Sequence, residues 1–310
     1  MPDITRRTLL GTGAAMLLSR TTFLFAQSGI HRVVVGTLTD ASGENVAGFG
    51  TRGAGNMSRG LYTFTFDTAT GRAGDVTLAA EETNPFNLTI HSNRRVLYAC
   101  RWRTRIDGQN IITAFAIEGA TRRELNTVRS GGGGPTVGVV DRAGRNLLTT
   151  NFVTNSIVCF RLNKDGSLGE RSAMIGNEPG GATRNALTPG ERPGPASAGM
   201  GSTPGGPHAI VLSTTEPFAI ASEISGNRCR VLRFDARNGF LETHQLAEDV
   251  HRAGPRHLAW HPSYRYLYTS GEENSFDVCL EVGREQGRTQ GAAEPQHNTG
   301  GLYRPESPSR

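Results

Sequence analysis

The sequence is poor in cysteine, and its few cysteines show no metal-binding spacing. Only four occur in 310 residues, at Cys100, Cys159, Cys229 and Cys279, and none belongs to a Cys-x-x-Cys pair. Structural zinc sites usually need such pairs, so nothing in the sequence indicates one. Each cysteine lies in a separate strand-like run, which favours free, partly buried thiols over disulfide bridges.

A basic run with interleaved aromatic residues is also lacking. The formal net charge is +5, and the arginines that produce it are spread along the chain. Nucleic acid is therefore not an expected partner. Aromatic residues make up only 7% of the chain, whereas 40 glycines and 15 prolines are present. That composition is typical of many short strands joined by tight turns rather than of long helices.

The N-terminal segment has no apolar run long enough to anchor the chain permanently in a bilayer. The paired Arg6 and Arg7 precede a mildly apolar stretch that ends at Leu18, and Arg20 follows soon after it. This arrangement resembles a twin-arginine signal peptide over residues 1–27. We expect export by the twin-arginine machinery, to the periplasm or out of the cell. A disordered basic tail is the alternative.

Internal self-similarity indicates the fold class. One repeated element is an apolar strand, a turn and a second apolar strand, and its copies span residues 88–99, 137–149, 209–221 and 258–269. A second element, an alternating strand that usually ends in a turn, begins near residues 61, 111, 157, 229 and 276, at intervals of 50, 46, 72 and 47 residues. Units of about 47 residues with about four short strands are typical of β-propeller blades. The sequence therefore predicts an all-β propeller over residues 31–282, with about five blades.

Two segments interrupt or follow this pattern. Residues 176–206 are rich in glycine and proline and show no apolar periodicity. Because the repeat resumes after them, we interpret them as a loop inserted between two blades rather than as a linker between domains. Residues 283–310 are polar and contain no apolar run of strand length, so we expect a disordered or non-native tail.

Five motifs, in a fixed order, carry a resemblance to a known family. They are GLYTFTFDTATG, NPFNLTIHSNRRVLYA, GGGGPTVGVVDRAGRNLLTTN, GGPHAIVLS and GPRHLAWHPSYRYLYTSGEENS. In this order they resemble the seven-bladed β-propeller lactonases, which include propeller-type 6-phosphogluconolactonases and carboxy-cis,cis-muconate cyclases. The resemblance extends over about residues 31–280, and its most specific part is Gly254-Pro255-Arg256-His257, followed by a strand and His261-Pro262.

The resemblance implies a ring of seven blades, of which this chain matches the first five. We therefore expect a truncation or a shifted reading frame after residue 282. A propeller is closed by pairing between its first and last blades. An incomplete ring would expose strand edges and an apolar blade face, so it is expected to be poorly stable or inactive.

Members of this family act at one end of the central channel, where loops from several blades converge. Lactone hydrolysis needs a base that activates water and donors that hold the oxyanion. Arg256 and His257 are the first candidates, as an anion ligand and as a base or donor, and His208 occupies the equivalent place one blade earlier. Glu223 and Glu272 follow the second strands of their blades and are candidate general bases. For all five, a structural turn, a bond between blades or a solvated charge is the alternative.

One position departs from the family pattern. Val137 stands in the third blade where the family commonly has histidine, so one functional group is expected to be missing. His91 and His261 lie at strand ends before turns and are predicted to be structural. The glycine run at residues 131–134 precedes a strand instead of a helix, which argues against a phosphate-binding loop.

The resemblance implies a lactone hydrolase with neither a metal nor an organic cofactor. Since phosphorylated sugar lactones belong to the cytoplasm, export favours an unphosphorylated or a carboxylated lactone as the small-molecule partner. Two other hypotheses stay open. A non-catalytic propeller that binds protein or carbohydrate is favoured by Val137 and by the missing blades, and a muconate cyclase would act on a carboxylated diene. The sequence gives no indication of the oligomeric state.

Overall fold

The computed structural model describes most of the repeat region as β-strands. The described segments are residues 29–39, 58–101, 110–176, 206–214, 217–224, 226–248, 252–272, 277–282 and 289–290. They contain no helix, and accordingly no helix long and apolar enough to cross a membrane. The predicted signal peptide, most of the inserted loop and most of the tail lie outside these segments.

The first sheet contains β1 (Ile30–Gly36), β2 (Gly60–Asp67), β3 (Arg72–Ala73) and β4 (Thr77–Glu81). β1, β3 and β4 all pair with β2. The described residues 29–34 and 63–77 form a small compact unit, and the other described residues form a larger one. Within the small unit, Thr63 Oγ1 donates a hydrogen bond of 2.8 Å to the carbonyl oxygen of Val33.

Four further sheets follow in the larger unit, each with four strands in chain order. The second sheet contains β5 (Pro85–Ile90), β6 (Val96–Arg101), β7 (Ile111–Glu118) and β8 (Thr121–Arg129). The third contains β9 (Pro135–Val140), β10 (Asn146–Asn151), β11 (Ser156–Leu162) and β12 (Leu168–Ile175). The fourth contains β13 (Pro207–Leu212), β14 (Phe218–Glu223), β15 (Arg228–Asp235) and β16 (Phe240–Glu248). The fifth contains β17 (Pro255–Trp260), β18 (Tyr266–Gly271), β19 (Asp277–Val282) and β20 (Thr289–Gln290).

Neighbouring strands in these four sheets are antiparallel. Both repeated elements of the sequence are therefore strands where they were predicted. The short β20 lies in the segment that was expected to lack structure. It pairs with the end of β19 through backbone groups, which need no apolar side chains.

The two histidines that were predicted to be structural lie in the turns between the first two strands of their sheets. Arg94 in the second sheet and Tyr264 in the fifth occupy equivalent positions of these turns, and both have a left-handed conformation, with φ of 58° and 55°. His91 Nδ1 accepts a hydrogen bond from the amide of Asn93, and His261 Nδ1 accepts one from the amide of Ser263. The imidazoles thus cap the turns, which confirms the structural role predicted for both.

Successive sheets of the larger unit pack face to face through apolar side chains. Leu147 and Leu148 are adjacent on β10 and are fully buried on opposite faces. Leu147 contributes to the core shared with the second sheet, and Leu148 contributes to the core shared with the fourth. The first strands β5, β9, β13 and β17 adjoin one another in this order. This arrangement of four-stranded sheets is that of propeller blades, which confirms the predicted fold class.

The cysteines confirm the prediction of free thiols as far as the structure describes them. Cys100, Cys159 and Cys229 lie on β6, β11 and β15, and all three are buried and unbridged. Burial raises the pKa of Cys100 to about 12 and that of Cys159 to about 11, so both thiols stay protonated at neutral pH. The side chain of Cys279 lies outside the described part.

The two ends of the inserted segment meet at one point. A Cβ atom added to Gly176 would lie 2.2 Å from the carbonyl oxygen of Asn155, and one added to Gly206 would lie 2.5 Å from Asn155 Cα. The chain therefore leaves the third sheet and enters the fourth sheet beside the same residue, Asn155. The inserted loop itself stays a prediction. Residues 177–205 themselves lie outside the described residues.

We predict that Leu148→Ala lowers the free energy of unfolding by about 3 kcal/mol, because it opens a cavity between the third and fourth sheets. Leu246→Ala removes the same atoms from an outer strand where the side chain is 40% exposed, so it should cost less than about 1 kcal/mol. Urea denaturation of both variants measures the difference. Equal losses would contradict the assignment of Leu148 to a core between sheets.

Candidate active site

The first strands of the four large sheets all begin at a proline. These prolines are Pro85, Pro135, Pro207 and Pro255. The preceding Gly134 and Gly254 have φ of 64° and 67°, a left-handed conformation that glycine adopts without strain. Since proline has no N–H to donate, regular pairing begins only after it. The same end of each sheet therefore carries a set of equivalent positions.

A β-bulge follows the proline in each of these strands. In the fourth sheet Pro207 lies opposite Glu223 but Ala209 lies opposite Ser222, so His208 has no partner in the register. The same shift occurs at Phe86, in the region of Thr136, and at Arg256. A bulge turns one side chain away from the regular alternation, and bulges are frequent beside active sites. The register thus aligns His208 with Arg256, and Ala209 with His257.

Four of the five predicted site residues lie together at this end of the fourth and fifth sheets. The rings of His208 and His257 meet edge to face, with centroids 5.2 Å apart. Arg256 Nη1 lies 3.2 Å from His257 Nε2, and Arg256 Nε lies 3.1 Å from Glu272 Oε2. The guanidinium of Arg256 thus connects an imidazole to a carboxylate.

Glu223 lies beside this group but is held differently. It is only 3% exposed and forms ion pairs with Arg228 and Arg230 of the neighbouring strand β15. Each carboxylate oxygen accepts from one guanidinium. The side chain of Glu272, in contrast, is 27% exposed and has one cationic neighbour. Glu272 is therefore the carboxylate with better access to water.

Burial controls the charge of the two histidines. Desolvation, assisted by the nearby Arg256 and His257, lowers the pKa of His208 to about 3. Desolvation also lowers the pKa of His257, assisted by Arg256 and opposed by Glu272. Both imidazoles are therefore neutral at pH 7. Because a guanidinium only donates, His257 Nε2 accepts from Arg256, and the ring proton of the neutral imidazole lies on Nδ1.

Hydroxyl groups from the preceding sheet hold the bulged residues, and none of them is among the predicted site residues. Thr136 Oγ1 and Thr150 Oγ1 donate to the carbonyl oxygen of His208 at 2.8 and 3.3 Å. Ser222 Oγ donates to the carbonyl oxygen of Arg256 at 2.7 Å. A sequence signal exists, since Thr150 and Ser222 both occupy the penultimate position of the second strand in their sheets.

Apolar side chains border His208. Phe152 contacts its ring edge to face at a centroid distance of 5.7 Å, and Phe152 and Ile224 form a small cluster with Phe86. His208 Nδ1 has no hydrogen-bond partner among the described residues. A buried polar atom without a partner is unusual in a folded protein.

The remaining sequence candidates lie outside this cluster. The amides of Gly133 and Gly134 donate to Thr154 and Asn110, so they are used within the protein. The side chain of Val137 lies outside the described part, and its effect on function stays a prediction. In the segments that the structure describes, no three His, Cys, Asp or Glu side chains are grouped to hold a metal ion.

Comparison with known proteins decides the family. A family model described as "Lactonase, 7-bladed beta-propeller" matches residues 32–293. The chain belongs to this lactonase family. It is 25% identical over 229 residues to a 6-phosphogluconolactonase of Bacillus subtilis, in a match that covers 72% of this chain and 59% of that protein. The chain therefore spans about three fifths of the length of this relative.

Solved structures share the lactonase fold. A putative 6-phosphogluconolactonase of Bacteroides uniformis superimposes with a TM-score of 0.66 at 23% identity, over 84% of this chain and 66% of that one. A periplasmic gluconolactonase of Pseudomonas aeruginosa gives a TM-score of 0.66 at 18% identity, over 86% of this chain and 68% of that one. At these identities the likeness establishes the fold alone.

We predict that His208 makes the protein sensitive to acid. The unfolded chain binds a proton at this histidine near pH 6.5, whereas the folded chain does so only near pH 3, so stability falls as the pH falls between these values. From pH 7.5 to pH 5 the loss due to His208 should be about 2 kcal/mol. Urea denaturation at both pH values measures it.

His208→Gln should reduce the loss of stability between the two pH values by that amount, whatever the substitution costs at pH 7.5. His244→Gln is the matched control, since it replaces a half-buried histidine on the outer strand β16. An unchanged acid sensitivity in His208→Gln would show that His208 is protonated in the folded protein or is not buried.

Proposed function

We propose that the protein hydrolyses an uncharged sugar lactone at the group formed by His208, Arg256, His257 and Glu272. The observation that carries this proposal is the guanidinium of Arg256, set between the carboxylate of Glu272 and the neutral imidazole of His257. The arrangement offers a base and two N–H donors within one small volume. Both are needed for water to add to an ester carbonyl.

Each group has a role in the reaction. Glu272 takes a proton from water as the water oxygen attacks the lactone carbonyl carbon. The oxyanion that forms accepts hydrogen bonds from Arg256 and from Nδ1–H of His257. When the intermediate collapses, the bond between the carbonyl carbon and the ring oxygen breaks. The proton held by Glu272 passes to the ring oxygen, which becomes the hydroxyl of the hydroxy acid.

His208 supports this chemistry from the interior. Its neutral ring packs against His257 and fixes the orientation of that imidazole. The apolar surroundings of Phe152 and Ile224 lower the local polarity, which strengthens the hydrogen bonds to the oxyanion. His208 is thus a positioning residue in the proposal, whereas Arg256, His257 and Glu272 contact the substrate.

The charges around the group favour an uncharged substrate. The guanidinium groups of Arg228 and Arg230 both form ion pairs with Glu223, and that of Arg256 forms one with Glu272. A phosphate needs a cation that is not already paired, and it would be repelled by Glu272. An uncharged lactone avoids both difficulties. The twin-arginine segment supports the same choice, because an exported enzyme would meet sugars that are not phosphorylated.

We predict that Glu272→Gln lowers kcat for glucono-δ-lactone by about 100-fold or more, because the amide cannot take a proton from water. The release of acid, followed in a pH-stat and corrected for spontaneous hydrolysis, measures the rate. Glu242→Gln changes an exposed carboxylate on β16 and should leave the rate unchanged. Full activity in Glu272→Gln would refute the assigned base. The absence of activity in the parent protein would favour the non-catalytic binding propeller.

The charge of the substrate is a separate prediction. The kcat/KM for the uncharged lactone should exceed that for its 6-phosphorylated form by about fivefold or more, since repulsion by Glu272 costs on the order of 1 kcal/mol. The same pH-stat assay compares both substrates at equal ionic strength. A preference for the phosphorylated lactone would contradict the proposal on substrate charge and leave hydrolysis itself intact.

A further inference from the structure

A large cleft lies at the opposite end of the sheets from the proposed active site. Its volume is about 920 Å³, and it is bordered by the third, fourth and fifth sheets. Most of its walls are apolar, including Val139, Leu212, Phe218, Phe234 and Trp260. This volume is in the range of pockets that enclose small organic ligands, about 300–1,000 Å³.

The cleft and the active-site group are separate sites. His208 stands near the start of β13 and Leu212 at its end, so the strand itself separates them by about 13 Å. The turn residues that border the cleft are distant from the bulges that carry Arg256 and His208. Nothing in the proposed lactone hydrolysis uses the cleft.

Arginines line the cleft beside the apolar walls. Arg142, Arg145 and Arg233 all border it and are exposed. Neither Arg142 nor Arg145 forms an ion pair with any residue that the structure describes. Arg233 donates through Nε to His244 Nδ1 at 3.3 Å. The guanidinium groups of Arg142 and Arg145, which lie on the turn between β9 and β10, are therefore available to an anion.

The acidic residues that border the cleft form no ion pair with these arginines among the described residues. Asp141 Oδ1 accepts from the amides of Arg145 and Asn146 at 2.6 and 2.7 Å. Asp235 Oδ1 accepts from the amide of Arg237 at 2.9 Å, in the turn after β15. Both carboxylates are occupied by their own turns. The cleft thus combines an apolar interior with unpaired positive charge, which complements a molecule with an apolar body and an anionic group.

The wall at Trp260 is held in place. Trp260 Nε1 donates to the carbonyl oxygen of Leu212 at 3.0 Å, and the ring of Tyr264 packs against the indole at 6.1 Å. Tyr264 is 44% exposed and has a φ of 55°, a conformation that costs free energy in a bulky residue. The equivalent position of the third sheet is Gly144, which adopts it without strain. An exposed aromatic ring is therefore kept beside the cleft at a conformational cost.

We propose that this cleft binds a small amphipathic anion, an aliphatic or aromatic carboxylate, with its apolar body between Phe218 and Trp260 and its carboxylate at Arg142 and Arg145. Such a molecule buries apolar surface in the cleft while its charge stays at the mouth. The site is additional to the active site and does not depend on the proposed lactone hydrolysis.

Octanoate and its neutral isostere octanamide are suitable probes. The sequence contains two tryptophans, so Trp102→Phe leaves Trp260 as the only fluorescent indole. In that background, octanoate should change the Trp260 emission saturably, and octanamide should bind at least about fivefold more weakly. The double variant Arg142→Gln/Arg145→Gln should bind octanoate at least about fivefold more weakly and octanamide unchanged.

Two further variants complete the test. Arg237→Gln removes an exposed arginine that does not border the cleft and should leave both affinities unchanged. Ala143→Phe places a ring in the cleft from an exposed turn position and should abolish binding of both probes. A non-saturable emission change, equal affinities for octanoate and octanamide, or binding that survives Ala143→Phe would each overturn the proposal.

Discussion

Two hydrogen bonds between sheets, one buried and one partly buried, hold the backbone of the candidate active site. The hydroxyl of Thr136 holds the carbonyl oxygen of His208, and the hydroxyl of Ser222 holds that of Arg256. Each such bond contributes about 1 kcal/mol, but a buried carbonyl without its partner would cost more. In both cases the acceptor belongs to a bulged residue and the donor to the preceding sheet. The bulge therefore cannot revert to regular pairing without the loss of this bond. His208 and Arg256 thereby reach the end of the strands, where Arg256 lies between His257 and Glu272.

The same packing sets the electrostatics of the site. Sheets that bury both faces leave little water near the start of their first strands, so His208 stays neutral at physiological pH. Neutral imidazoles can lie next to a guanidinium without repulsion, whereas protonated ones cannot. Glu223 shows another arrangement of a buried charge, since its side chain forms ion pairs with two arginines. Solvent accessibility therefore distinguishes Glu223 from Glu272, although both were predicted from equivalent positions in the sequence.

Much of the architecture could be predicted from the sequence. Strands such as β6 and β14 are buried on both faces and contain apolar runs, which are visible in the sequence. Outer strands such as β8 are mostly exposed and carry no such signal. His208, Arg256 and His257 follow Gly-Pro in the sequence and could be predicted as candidate site residues. Their bulge was not, because a register shift depends on the partner strand as well. The cleft near Trp260 is formed by residues from three sheets, so no local sequence pattern could predict it.

The central claim is that the bulged ends of the fourth and fifth sheets bind the lactone. Imidazole resonances of the eight histidines, followed by NMR during titration with an unhydrolysable lactam isostere of gluconolactone, test it most directly. We predict saturable shifts at His257 and His208, and none at His244 on the outer strand β16. Unchanged resonances of His257 and His208 at saturating lactam, or equal shifts at His244, would contradict it.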